Sequence, residues 1–450
     1  MNATQTFRTR FGHIEIGLNS APRAIAICAS FVLFFFINAF AAAQLPAPLY
    51  KFSFAPTPED GYTAVTPTTA YSKERGFGFE NPSGVQAIDR QWPNGKHDGF
   101  CTSDKPFYFS VALAEGNYNV TVFLGDPAGA SDTTIKAELR RLMVERIHTT
   151  PGKLVTRTFT VNLRTPHIAD GGEVRLKDRE KTTEIWDWDE KLTLEFNGSR
   201  PCLMAMEIEK AEVPTIFLLG DSTVCDQPRE PWNSWGQMLP RFFQQGVAIA
   251  NHAESGESLR SSLSAHRLDK VLSLMKAGDY LFIQYGHNDM KERGANIGAF
   301  TSYTADLKKF VAGARAKGGI PVLITSMNRK SFDSSGRITN TLGDYPEAVR
   351  RLAKEQNVPL IDLNEMSKVL YEAIGRENID KAFVDGTHHN AYGSYELARC
   401  VVEGIRQNKL SIARLLTDDL APFDPAKPDS LSDFHIPASP MTTNAAPDGN

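Results

Sequence analysis

Four short segments of this chain carry the groups that acyl transfer requires. Ser222 stands in "FLLGDST", residues 217–223, just after an apolar run that stops at Gly220. A serine becomes a nucleophile only with a general base within hydrogen-bond reach and an acid that orients the base. "VDGTHHNAYG", residues 384–393, offers both, because Asp385 and His388 are spaced to share one side of a single turn. His389 is adjacent and is expected to point elsewhere. Donors for the developing oxyanion are also needed, each worth about 3–4 kcal/mol. "NHAESGES", residues 251–258, sets Gly256 in a loop, where a backbone N–H can come close to a substrate. "YGHNDM", residues 285–290, adds the side-chain amide of Asn288. The N–H of Ser222 itself is a third donor, at the start of the helix expected to follow it.

These groups must be brought together by the elements around them. Short apolar runs at 215–220, 247–251, 280–286, 320–326 and 358–363 alternate with helical patterns at 234–245, 258–277, 301–317, 345–356, 365–375 and 391–407. That rhythm predicts βαβ units: a flavodoxin-like, three-layer α/β/α sandwich with a five-stranded parallel sheet. Ligands bind such sheets at the carboxyl ends of the strands. Ser222, Gly256 and Asn288 each follow one of the runs, and the Asp385–His388 pair lies beyond the fifth. Taken singly the same residues have ordinary roles. A serine after a strand caps a helix, Asn and Asp make their own turns, and Gly256 permits a left-handed turn. Four at once, at four strand ends, point to a serine esterase site. The GxSxG elbow of α/β-hydrolases is absent, since Val224 stands two residues after the serine.

The chain before residue 212 has a different rhythm. Segments 107–113, 118–125, 157–164, 191–196 and 202–211 alternate with period two and are separated by turn signals such as "EGN" and "NGS". Several short strands without a long helix predict an all-β sandwich over residues 46–211, ahead of a catalytic domain over 213–410. Residues 133–145 suit either a helix by propensity or a strand. Residues 421–450 are rich in Pro, Ser and Asp and read as a disordered tail or a loosely packed arm.

The motifs "GDST", "NHAESGES", "GHND" and "DGTH" occur in the order of the four blocks of the SGNH (GDSL-like) hydrolase superfamily, which this chain resembles over roughly residues 213–407. "SWGQML", residues 234–239, and the "DxTH" form look most like its rhamnogalacturonan acetylesterase branch. The resemblance implies a serine nucleophile at Ser222, a base pair of Asp385 and His388, and an oxyanion hole of Ser222, Gly256 and Asn288. It implies neither metal nor cofactor. His389 departs from the family pattern, and the spacing favours His388 as the base. "RGFGFE", "EGNYNVTVFLGD" and "KAELRRLMVE" resemble the galactose-binding-like β-sandwich that precedes this domain in some bacterial members. The function implied is an exported carbohydrate esterase that removes O-acetyl groups from a plant-type polysaccharide such as rhamnogalacturonan or pectin. The alternative is a lipase, thioesterase or arylesterase with the same site and a different pocket.

Composition bounds these readings. The 450 residues are 41% hydrophobic and 23% charged, with a formal net charge of -4. No basic stripe suggests nucleic acid as a partner. Arg8, Arg10 and Arg23 precede an uncharged run over 24–50, and Ala41 and Ala43 form a small-x-small cleavage signal. Residues 1–43 are therefore expected to be a signal peptide, cleaved to give a periplasmic or secreted protein without membrane contact. The alternative is a retained N-terminal anchor. Five cysteines occur. Cys28 falls in the leader, and Cys101, Cys202, Cys225 and Cys400 admit three pairings, of which Cys101 with Cys202 is preferred. Asp221 and Asp289 are expected to hold loops. His252, Trp232 and Trp235 suit either packing or sugar contact, and Trp186 with Trp188 is expected to pair on one strand face.

Overall fold

The computed structural model describes residues 49–58, 60–90 and 99–448. The expected leader over 1–43 and Cys28 lie outside the described residues. No helix among the described residues is long and apolar enough to cross a membrane.

The N-terminal strands are β1 (Tyr50–Ser53), β2 (Thr63–Ala64), β3 (Phe77–Phe79), β4 (Gln86–Asp89), β5 (Gly99–Thr102), β6 (Phe107–Ala112), β7 (Gly116–Leu124), β8 (Ser131–Ala137), β9 (Arg141–Thr149), β10 (Val155–Leu163), β11 (Lys191–Arg200) and β12 (Cys202–Lys210). One sheet runs β10-β7-β12-β1-β2, with β5 joined to β12 and β4 to β5. The other runs β3-β6-β11-β8-β9. Alternation drives the pairing: β7 buries Tyr118, Val120, Val122 and Leu124 and leaves the residues between them less covered. Those side chains share one core with Phe109, Leu194 and Phe196 of the opposite sheet.

Residues 133–145 form the hairpin β8–β9 rather than a helix. Glu138 and Arg140 take left-handed backbone angles, φ 53 and φ 65, and turn the chain back. Helical propensity is weak, and pairing with β11 overrides it. The preferred disulfide is not formed: Cys101 and Cys202 are free and buried. The register explains why, since Cys101 faces Leu203 and Cys202 faces Thr102. An offset of one residue sends the two side chains to opposite faces of the sheet. Cys101 accordingly joins the sandwich core, while Cys202 packs outside it with Phe100 and Met204.

The second half builds a parallel sheet from β13 (Thr215–Gly220), β14 (Ala248–Asn251), β15 (Tyr280–Gln284), β16 (Ile320–Ile324) and β17 (Leu360–Ile361). The order is β14-β13-β15-β16-β17, the doubly wound arrangement expected from the sequence. β13 lies between β14 and β15 and is buried on both faces. Ile216 and Leu218 enter one core, Phe217 and Leu219 the other. The first face is covered by α1 (Trp235–Met238), α6 (Leu363–Ile374) and α7 (Ala391–Gln407). The second is covered by α2 (Leu259–Ser264), α3 (Arg267–Leu274), α4 (Thr304–Ala316) and α5 (Tyr345–Gln356). The pattern over 258–277 becomes two helices because His266, at φ 60, breaks the run. No helix starts at Ser222. The chain makes one turn there, with the N–H groups of Val224 and Cys225 donating to Asp221 O.

The two halves are joined by buried charge. Arg140, on the β8–β9 turn, donates to the carbonyls of Gln227 and Trp232, each at 3.0 Å, and pairs with Glu230 at 2.5 Å. Arg141 lies 3.2 Å from Asp226 and 3.7 Å from Asp187. Arg164 holds Asp187 at 2.6 Å. The segment after residue 421, read as a disordered tail or loose arm, runs across both halves. Ser439 donates to Glu195, its N–H bonds Glu230 Oε1 at 3.0 Å, and Thr443 N–H bonds Glu230 O at 2.8 Å. The segment is held here through backbone groups, a few polar anchors and the rings of Phe423 and Phe434, which pack on the core, an arrangement that composition does not reveal.

Candidate active site

Ser222 sits where β13 ends. Its local turn is set by Asp221, whose Oδ1 accepts from Thr223 N–H at 3.0 Å and from the Thr223 hydroxyl at 2.7 Å. Asp221 therefore closes this turn, and the Ser222 hydroxyl takes no part in it. Burial alone would raise the Asp221 carboxyl, but its bonds to His287 and Thr223 hold it below its ordinary value. His287 bridges Asp221 at 3.3 Å and the Met327 carbonyl at 3.1 Å, tying the ends of β13, β15 and β16.

From the far end of the sequence, the loop before α7 meets this turn. His388 Nε2 lies 2.8 Å from Ser222 Oγ. His388 Nδ1 lies 2.8 Å from Asp385 Oδ2. The other Asp385 oxygen accepts the N–H groups of Thr387 and His388, both at 2.6 Å, so the carboxylate also shapes its own loop. With Nδ1 protonated toward Asp385, Nε2 accepts the serine hydroxyl proton. Trp232 packs edge-on against the His388 ring at 5.6 Å. His389 takes a separate position, with Nε2 2.8 Å from Tyr371 OH and its ring 4.1 Å from Phe383. Burial pushes its pKa down to about 3.

Gly256 and Asn288 reach the same end of the sheet. Gly256 has φ 78, the left-handed region that suits glycine. Its loop is fastened to β13 by the bond from Glu254 N–H to Gly220 O, at 3.1 Å. Asn288 donates one amide hydrogen to Glu257 O at 3.0 Å, which fixes the amide and leaves its second N–H. Among the described residues, the N–H groups of Ser222 and Gly256 have no hydrogen-bond acceptor. Gln227 couples these loops, since its Nε2 donates to Ser222 O at 2.7 Å and to Ser255 Oγ at 3.2 Å.

Every residue anticipated for the site is thus gathered at one strand-end face. Other anticipated contacts resolve toward packing. His252 is buried, neither ring nitrogen is hydrogen-bonded among the described residues, and burial holds its pKa well below the ordinary value. Trp235 is buried and donates to Gln284 Oε1 at 2.8 Å. Trp186 and Trp188 lie at a short 3-10 turn, Ile185–Asp187, rather than on a strand, and part company there. Trp186 packs on Tyr108 at 5.3 Å, Trp188 on Arg164 at 4.7 Å. Cys225 is a buried thiol pushed well above its usual pKa by burial, 3.2 Å from Ser255 Oγ. His287 and Gln227 escaped the sequence reading, and Trp232, read there as packing or sugar contact, packs on His388. His287 lies within "GHND", but nothing local tells which strand ends its ring will bridge. A cavity of about 230 Å³ opens beside Trp232, lined by Arg179, Gln227 and Arg229 and walled by the C-terminal arm.

The GDSL-like lipase/acylhydrolase family matches residues 218–394, which contain Ser222, Gly256, Asn288, Asp385 and His388. The chain is also 42% identical over 209 residues to rhamnogalacturonan acetylesterase RhgT of Bacillus subtilis (strain 168), covering 43% of this chain and 89% of that relative. The chain belongs to the GDSL-like lipase/acylhydrolase family. As a GDSL-like protein it is a serine carboxylic-ester hydrolase. Its N-terminal half matches a galactose-binding domain-like family of β-agarases and YXIM esterases over residues 50–161. Both halves together align with the B. subtilis protein named uncharacterized esterase YxiM, at 28% identity over 383 residues, 81% of this chain and 92% of that one. The crystal structure of YxiM superposes with a TM-score of 0.44 at 25% identity, over 80% of this chain and 99% of that one.

Proposed function

We propose that this GDSL-like hydrolase is an exported carbohydrate O-acetylesterase acting on acetylated rhamnogalacturonan or a related pectic polysaccharide. Ser222 Oγ attacks the acetyl carbonyl while His388 Nε2 takes the serine proton. Asp385 holds the imidazole by Nδ1–H and stabilises the imidazolium. The N–H groups of Ser222 and Gly256 and the free amide N–H of Asn288 stabilise the oxyanion. Collapse of the tetrahedral intermediate breaks the ester C–O bond, and His388 gives the proton to the departing sugar oxygen, which leaves as the hydroxyl. Water, deprotonated by His388, then cleaves the acetyl-Ser222 ester and releases acetate.

One observation carries this reading: the unbroken chain Asp385–His388–Ser222, with both links at 2.8 Å. The substrate rests on likeness to the relative named a rhamnogalacturonan acetylesterase. Acetate release across a panel of acetylated polysaccharides, with Ser222→Ala as control, tests it. Release from acetylated pectin and none from the variant is expected. Preference for long-chain acyl esters would instead favour a lipase or thioesterase, and full activity of Ser222→Ala would refute the mechanism.

A further inference from the structure

The carbonyl of Ser255 belongs to the same peptide unit as the N–H of Gly256. Two cations converge on that carbonyl. Lys177 Nζ donates to Ser255 O at 2.5 Å and Arg179 Nη2 at 2.6 Å. Both side chains come from the segment between β10 and β11, so they belong to the N-terminal half of the chain. Their turn is bolted to the catalytic half. Lys177 N–H donates to Glu180 Oε2 at 2.8 Å, and the same oxygen accepts from Arg267 Nη2 at 2.6 Å. Glu180 and Arg267 side chains are both fully buried. Arg175 N–H, two residues earlier, bonds Ala265 O at 3.0 Å. The remaining contacts of the two cations are carboxylates on the same loop or beside it. Lys177 is 3.1 Å from Glu257, and Arg179 meets Glu254, Glu184 and Asp448.

We infer that Lys177 and Arg179 are positioning residues for the oxyanion hole: they orient and polarise the Ser255–Gly256 peptide from its carbonyl end. The inference rests on the esterase reading above, in which Gly256 N–H is an oxyanion donor. The physical basis is amide resonance. A donor on the C=O draws electron density from the nitrogen and strengthens the N–H dipole at the other end of the plane. Charged donors do this more than neutral ones. Gly256 itself, at φ 78, takes the left-handed backbone that suits its turn. The β-sandwich half therefore contributes to the acyl-transfer step without touching substrate.

The test uses the full chain and 4-nitrophenyl acetate, a small ester that engages no polysaccharide subsite. Lys177→Met, Arg179→Met and the double variant are compared with Lys177→Arg and Arg179→Lys, with thermal midpoints recorded for each. Outright loss of an oxyanion donor costs about a hundredfold or more, so weakening one predicts about a tenfold fall in kcat for each single Met variant. The double variant should fall further, KM should stay within about twofold of the parent's, and the Arg and Lys replacements should recover most of the rate. A folded double variant with kcat within twofold of the parent overturns the inference. So does a loss confined to KM, or an Arg179→Lys as slow as Arg179→Met. If the double variant does not fold, the Lys177→Met and Lys177→Arg pair decides by the same criteria. Ser222→Ala in the same assay separates the two levels. An inactive Ser222→Ala beside a fully active double variant refutes only the positioning role, whereas an active Ser222→Ala refutes the esterase reading and this inference with it.

Discussion

Ser222 shows how much a single residue owes to its neighbours. Its hydroxyl is held by a histidine 166 positions away, and the turn around it is closed by Asp221. Asp385 is the residue whose chemistry is easiest to isolate. Replacing it with Asn keeps the shape but removes the carboxylate that selects the His388 tautomer. Steady-state kinetics of Asp385→Asn should show kcat lowered by about a thousandfold to ten-thousandfold. The two adjacent histidines make a second test. Burial lowers His389 to about 3, below its ordinary 6.5. A depressed folded-state value means that stability is full above about 6.5 and is lost as pH falls toward about 3. The His389 ring resonances in NMR should therefore stay fixed from pH 5 to pH 9; titration near neutrality would show that the ring is not held neutral. The residue types of the site were legible because each motif is local. The partner of Trp232 and the bridging role of His287 were not, because both depend on contacts across the fold.

At the level of elements, the parallel sheet was readable because its strands are short apolar runs buried on both faces. The hairpin β8–β9 was not, since Glu138 and Arg140 turn the chain with residues that carry no turn signature. Nor was the break at His266, where an ordinary helical pattern is interrupted by one left-handed residue. Asp289 ties two elements together, as its Oδ1 accepts the Leu259 N–H at the start of α2, at 2.9 Å. Burial, with Asp221 adding to it, pushes its carboxyl up to about 8 from an ordinary 3.8. A raised carboxyl contributes stability that is full below about 3.8 and is lost as pH rises through about 8. Thermal midpoints measured from pH 4 to pH 8 should fall less steeply for Asp289→Asn than for the parent. Equal slopes would show that Asp289 is not protonated in the folded state.

Across the whole molecule, the two halves behave as one structure because charged side chains are buried between them. Arg141 is 1% exposed and faces Asp226, Asp187 and Glu138. Removing one partner of a buried ionic group leaves charge uncompensated, so Arg141→Met should cost about 3 kcal/mol or more by denaturant unfolding. A loss below about 1 kcal/mol would mean that these groups are already neutral or hydrated. The cysteines give a second global test. Cys101, Cys202, Cys225 and Cys400 are all free and buried. A thiol reagent should find none of them in the folded protein and all of them after unfolding, and reductant should leave the thermal midpoint unchanged. The path of residues 421–448 was the least legible feature of the chain, because its anchors are scattered: backbone bonds to Glu230, polar contacts to Glu195, and the rings of Phe423 and Phe434 set singly on the core.

Trapping the covalent intermediate bears most directly on the proposed mechanism. The protein is mixed with an activated acetyl ester, quenched in acid during turnover and digested, and its peptides are weighed. An acetyl group on Ser222, absent from Ser222→Ala, is the expected result. Turnover with no acetyl on Ser222, or with the label on another side chain, would contradict it.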